Sequence, residues 1–209
     1  FYPAVGLMLV GFLFKLAAFP FHAWTPDVYT GAPTPIAGFM ATGSKLAAFV
    51  AISMFVLHAL PMQSSPVLGN AKGQTLIAFC ALASMIYGNA VALRQRNLKR
   101  ILAYSSISHS GYVLLGVASG PEGYMNVIFY AVVYSLMTLG AFGVISALER
   151  KGKLLELNDL RGLGKEQPLL AALLAVFMLS LAGVPPLAGF MAKYLIFGSA
   201  IQAGIASGS

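Results

Sequence analysis

Residues 36–60 read IAGFMATGSKLAAFVAISMFVLHAL, and between Ile36 and Leu60 the single Lys, Arg, Asp or Glu is Lys45. A membrane-spanning helix needs about 20 predominantly apolar residues, and this run supplies them. Lys45 falls roughly 14 Å along such a helix, near the middle of a hydrocarbon core about 30 Å thick. A lysine at that depth costs at least about 2.5 kcal/mol on insertion scales, and residues kept there usually mark a polar cavity or an ion route.

Further apolar runs extend over about 2–21, 74–93, 98–119, 124–148 and 168–201. The last is too long for one straight pass. Gly183-Val184-Pro185-Pro186 interrupts it, so it reads as two half-helices around a break. The first run stops at Pro20, and the stretch from His22 to Pro35 that follows is rich in proline. The expected fold is an all-α polytopic transmembrane bundle of about six spans, forming one domain over 1–209. Phe1 already lies inside an apolar run and no initiator Met precedes it, so the chain is read as a piece of a longer protein.

Composition agrees. Hydrophobic residues make up 58% of the chain and charged residues 9%, where a soluble domain carries about 25% charged residues. Mean hydropathy is +0.81. The surplus surface must face a lipid bilayer. The net charge of +7 comes from short basic segments between apolar runs, and no basic stripe suggests nucleic acid. Arg94, Arg96, Lys99 and Arg100 form one such segment; Arg150, Lys151, Lys153, Arg161 and Lys165 form the other. Both are expected on the cytoplasmic side, with His22–Pro35 toward that side and Leu60–Gly73 opposite. One cysteine, Cys80, leaves no disulfide framework or cysteine metal site.

Three lysines stand in apolar runs with no acid near in sequence: Lys15, Lys45 and Lys193. Lysine suits proton relay because it loses and regains its proton as neighbouring charges change. Snorkelling to the interface is the plain alternative, more plausible for Lys15 than for Lys45. Lys15 precedes Pro20, and Lys193 follows Gly183, Pro185 and Pro186. Broken helices free backbone groups for midplane sites, although prolines also produce simple packing kinks. Ser105, Ser108, His109 and Tyr112 share one face of the fourth run, beside Tyr104 and Ser106. That face reads either as a hydrated path, with His109 as a possible relay, or as helix packing aided by Gly111. His58 is read as interfacial. Asp27, the only acid before Glu122, is read as capping a short helix rather than pairing with a cation.

Phe14-Lys15-Leu16-Ala17 followed by Pro20-Phe21-His22-Ala23-Trp24-Thr25-Pro26-Asp27-Val28-Tyr29 resembles subunit N of bacterial proton-pumping NADH–quinone oxidoreductase, respiratory complex I. So do Gly31-Ala32-Pro33-Thr34-Pro35, Ser44-Lys45, the stretch from Asn97 to His109, and Leu179–Phe190 with Lys193. The resemblance covers nearly the whole chain. It implies an antiporter-like inverted-repeat fold, present in part as about the seventh to twelfth helices. Lys15 and Lys193 would be the lysines of the two broken helices, and Lys45 that of the helix after the first.

What the resemblance further implies is proton translocation in the inner (plasma) membrane, beside the other membrane subunits of complex I. NADH, FMN, Fe–S clusters and quinone would belong to partner subunits, with no redox centre in this chain. The alternative is a subunit of a multisubunit cation/proton antiporter. The glutamate that pairs with the Lys15 counterpart lies on an earlier helix, outside this chain. Thr30 stands where many relatives have an acid or amide. A sister pumping subunit has glutamate at the Lys193 position, so Lys193→Glu is expected to be tolerated better than Lys193→Arg. Lys193 is expected to connect to the periplasmic side.

Overall fold

The computed structural model describes residues 2–59, 71–149 and 155–206. Its helices are α1 (Tyr2–Leu16), α2 (Thr25–Gly31), α3 (Thr34–Ala59), α4 (Ala71–Ala92), α5 (Leu98–Ala118), α6 (Pro121–Leu148), α7 (Leu163–Glu166), α8 (Pro168–Ala182) and α9 (Ala188–Ala206), with a 3-10 turn at Leu157–Leu160. Among the described residues there is no β-strand. Stretches within α3, α4, α5 and α6 are long and apolar enough to cross a membrane, while Pro3–Leu16 and Pro168–Ala182 are shorter apolar segments.

Proline mostly starts helices in this chain. Pro26, Pro121 and Pro168 occupy the first positions of α2, α6 and α8, where a missing N–H costs nothing and the fixed φ suits the helix. Asn97 starts α5 differently: its side-chain oxygen accepts the Arg100 N–H at 3.2 Å. α5 is the hub. It packs on α2, α3, α4, α6 and α9, and 72% of its span is buried against 28% for α4. α4 and α5 approach closely at Gly111, where a Cβ would come within 2.6 Å of the Ala81 carbonyl oxygen. The packing reading of that face is therefore sound on its α4 side.

The first run does not continue to Phe21. α1 ends at Leu16, because Ala17 turns left-handed at φ 56. The Ala17 N–H returns to Phe14 O at 3.0 Å and the Ala18 N–H to Leu13 O at 2.9 Å. This paired closure is a Schellman motif. Pro20 therefore sits within the connection, not at the stop. The second break repeats the closure: Gly183 at φ 87 returns its N–H to Ser180 O at 3.0 Å, and Val184 to Leu179 O at 3.1 Å. Phe19–Pro20 and Pro185–Pro186 are both cis.

The two basic segments meet. Asn97 bridges Glu156, the Leu98 N–H donates to Leu155 O at 3.1 Å, and the Leu157 N–H to Arg96 O at 2.9 Å. They lie at one end of the bundle, called the basic end below; Arg150, Lys151 and Lys153 are outside the described residues. Lys99 and Arg100 belong to the first turn of α5 and are not free loop cations. Lys99 is buried, 3.4 Å from a Glu149 carboxylate oxygen, and donates to Ala32 O at 3.2 Å. The other Glu149 oxygen accepts from the Thr34 hydroxyl. Asp27 does not cap: α2 has no side-chain cap, and Asp27 pairs with Arg100 at 3.0 Å. The 60–70 loop and the His58 side chain lie outside the described residues.

Candidate functional site

α5 presents a different polar set on each of two sides. Toward α3, Ser106 and Ser110 hold Lys45, which is 1% exposed. The Lys45 Nζ donates to Ser106 O at 3.0 Å, Ser106 Oγ at 2.9 Å and Ser110 Oγ at 3.2 Å. An ammonium carries three donors, and three acceptors surround this one. The serine hydroxyls spend their own protons on backbone carbonyls: Ser106 on Ala103 O at 2.9 Å, Ser110 on Leu16 O at 2.5 Å. Ser110 thus ties Lys45 to the last residue of α1. Such a cage offsets part of the several kcal/mol that burying an unpaired charge costs.

On its other side α5 forms the wall of a cavity of about 520 Å³. Ser105, Ser108, His109 and Tyr112, the four residues of the polar face read from the sequence, all line it, with Asn89, Gln95 and Lys193. His109 is buried and shares a 2.5 Å hydrogen bond between its Nδ1 and the Tyr130 hydroxyl. The Tyr134 ring lies 4.9 Å from the imidazole, centroid to centroid. Between the Lys45 cage and the cavity, His109, Tyr130 and Tyr134 thus make a buried polar seam.

Lys193 is half-buried and closes the second break. Its Nζ donates to Leu181 O at 2.8 Å and Ala182 O at 3.0 Å, and stands 5.0 Å from the Tyr112 ring centroid. A cation on the last carbonyls of α8 meets the negative end of the helix dipole. An ionised glutamate has no donor for these carbonyls, so Lys193→Glu would cost local stability here, a separate question from its expected tolerance in proton transfer. The cavity beside Lys193 also reaches the basic-end residues Gln95 and Leu157, opposite to the expected periplasmic connection.

Lys15 lies apart. It is exposed on the last turn of α1, in an open groove with Met8, Gly11 and Ser44, and forms no hydrogen bond or ion pair with the described residues. The structure therefore gathers Lys45, His109 and Lys193 around α5 and leaves Lys15 on the outer face. Ser110, Tyr130 and Tyr134 were not singled out from the sequence. Ser110 alone had a local signal, one helical turn after Ser106.

Known proteins carry the same architecture. The family profile described as NADH:quinone oxidoreductase/Mrp antiporter, TM, matches residues 2–208. NADH-quinone oxidoreductase subunit N of Salinibacter ruber is 47% identical over 209 residues, covering 98% of this chain and 40% of that protein. Subunit N 1 of Herpetosiphon aurantiacus is 51% identical over 203 residues, with 96% and 40% covered. A chain of respiratory complex I from Thermus thermophilus superposes with TM-score 0.82 at 44% identity, over 96% of this chain and 43% of its own. A chain of the Mrp complex from Dietzia sp. superposes with TM-score 0.87 at 29% identity, over 99% and 38%. The chain thus spans about 40% of the length of these relatives. By sequence and by fold, it belongs to the transmembrane family shared by NADH:quinone oxidoreductase and Mrp antiporter subunits.

Proposed function

We propose that this chain is the proton-translocating part of a subunit N of NADH–quinone oxidoreductase, seated in the bacterial cytoplasmic membrane among the other membrane subunits of complex I. The observation that carries the reading is the Lys45 cage: a buried lysine with three acceptors, no carboxylate partner among the described residues, and hydroxyls able to rotate. When Lys45 gives up its proton, the Ser106 or Ser110 hydroxyl can swing from its carbonyl to the amine lone pair. The site then accommodates both protonation states without moving a helix. From there the Tyr134, His109 and Tyr130 seam leads toward Tyr112 and Lys193. Lys15, beside the end of α1 that Ser110 touches, would stand at the outer edge of the path.

NADH, FMN, Fe–S clusters and quinone would act in partner subunits. An Mrp-type antiporter subunit is the second reading, favoured by the closer backbone superposition on the Dietzia chain; the higher identity to the complex I chain argues against it. Purification of the native complex through this chain separates the two, since redox subunits accompany only the first. Within the first, Lys45→Ala in the assembled complex should lose most proton pumping and lower quinone reductase activity, with Lys165→Ala near wild type. Equal pumping in both variants would refute the relay role of Lys45.

A further inference from the structure

We infer that Ser110 is a positioning residue: its hydroxyl holds the end of α1 against the Lys45 cage, and the hydroxyl that turns with the Lys45 proton is that of Ser106 alone. The role of Ser106 rests on the relay reading and deepens it, while the hold of Ser110 on α1 stands on the backbone. The first observation is where the amides around the first break go. α1 ends at Leu16, and a carbonyl at a helix end needs a partner from beyond it. The regular partner, the N–H four residues on, would be that of Pro20, and proline has none. The Ala17 and Ala18 N–H groups turn back to Phe14 O and Leu13 O, and the Phe21 N–H goes to Ala18 O at 2.7 Å. The Phe19 N–H goes to Ser84 Oγ at 2.9 Å. Residues 17–21 thus have no backbone donor left for Leu16 O, and Leu16 is fully buried. Ser110 supplies the missing donor at 2.5 Å, from 94 residues away in the chain.

The second observation is that the two serines of the cage are not equivalent. A hydroxyl has one proton to give. Ser106 gives its proton to Ala103 O at 2.9 Å, a carbonyl inside α5 that the regular helix pattern already pairs with the Ile107 N–H. Turning the Ser106 hydroxyl to a neutral Lys45 amine therefore orphans no carbonyl. Turning Ser110 would strip Leu16 O of its one donor among the described residues, and a buried carbonyl left without a partner is costly. Ser110 stays on Leu16 in both protonation states of Lys45. It keeps the last turn of α1, which carries Lys15, in a set place beside the cage.

Hydrogen exchange of the purified, assembled complex, read by mass spectrometry on peptides covering residues 13–24, tests this beside proton pumping in reconstituted vesicles. Ser110→Ala should raise exchange at Ala17 and Ala18 several-fold and lower the melting temperature. Ser110→Thr keeps the hydroxyl and should assemble with wild-type exchange, even where Ser110→Ala does not assemble. Ser106→Ala should leave exchange and melting at wild-type values, with pumping reduced several-fold. Unchanged exchange in Ser110→Ala, or the same rise in Ser106→Ala, overturns the inference. So does failure of Ser110→Thr, since the site would then require a small side chain and not a hydroxyl. Wild-type pumping by Ser106→Ala beside an inactive Lys45→Ala refutes the division between the serines. If Ser110→Ala opens the break while Lys45→Ala pumps at the wild-type rate, the hold on α1 stands and the relay reading fails.

Discussion

The two helix breaks use one backbone device in two different settings. Each ends its helix in a Schellman closure, on Ala17 in the first and Gly183 in the second. Each then needs partners for the polar groups it frees. At the first, Ser84 accepts the Phe19 N–H at 2.9 Å and Ser110 donates to Leu16 O; Leu16, Ala17 and Ala18 are fully buried. The charge, Lys45, stands one hydroxyl behind. At the second, Lys193 itself binds the carbonyls, beside an open cavity. The first break is fully buried and buffered by serines; the second borders an open cavity and is capped directly by a cation.

The largest effect is expected where burial is deepest. Lys45→Glu would aim a carboxylate at the Ser106 carbonyl with no cation to meet it, an uncompensated buried charge of about 3–5 kcal/mol. Complex assembly and thermal stability should both fall sharply. At the half-buried break the same exchange costs less: Lys193→Glu leaves two carbonyls without a donor at the edge of an open cavity, for about 1–3 kcal/mol. Equal losses in thermal unfolding of the two variants would erase the contrast between the breaks.

Backbone variants sharpen it further. Gly183→Ala imposes a left-handed alanine, at about 1–2 kcal/mol, and its Cβ would stand 3.1 Å from Lys193 Cδ and 3.3 Å from its Nζ. The melting temperature of the complex should drop and the Lys193 cap should shift. The smallest change is Ala17→Gly, which relieves the left-handed alanine but loses a buried methyl of about 0.8 kcal/mol. Its net effect should stay within about 1 kcal/mol. A loss as large as that of Gly183→Ala would show that the Ala17 methyl is a key packing contact of the first break.

The helices were legible because an apolar run interrupted by turn residues admits few other readings, and Leu98–Ala118 was expected within one residue. The second break was legible because Gly183 and two prolines announce it. The first was misplaced because alanine carries no signal for a left-handed turn: Ala17 takes that conformation only because buried neighbours hold it. Asp27–Arg100 and Lys99–Glu149 pair residues far apart in sequence, so no local pattern distinguishes them from free charges. The face of α5 carrying Ser105, Ser108, His109 and Tyr112 was visible from spacing alone, but the opposite side, where Ser106 and Ser110 meet Lys45, needed the helix rotation that packing fixes. Lys15 is exposed among the described residues, since an apolar run reveals depth along the membrane and not which way a side chain faces.

The account rests on lysines that gain and lose protons, and Lys193→Arg tests that with the geometry preserved. Arginine can still donate to Leu181 O and Ala182 O and cap α8, yet it holds its charge at any accessible pH. The decisive measurement is proton translocation by the purified, reconstituted complex carrying this variant, with assembly and melting temperature followed alongside. The account predicts a stable, assembled complex that pumps poorly. Pumping at the wild-type rate would make Lys193 a fixed structural cap and contradict the relay.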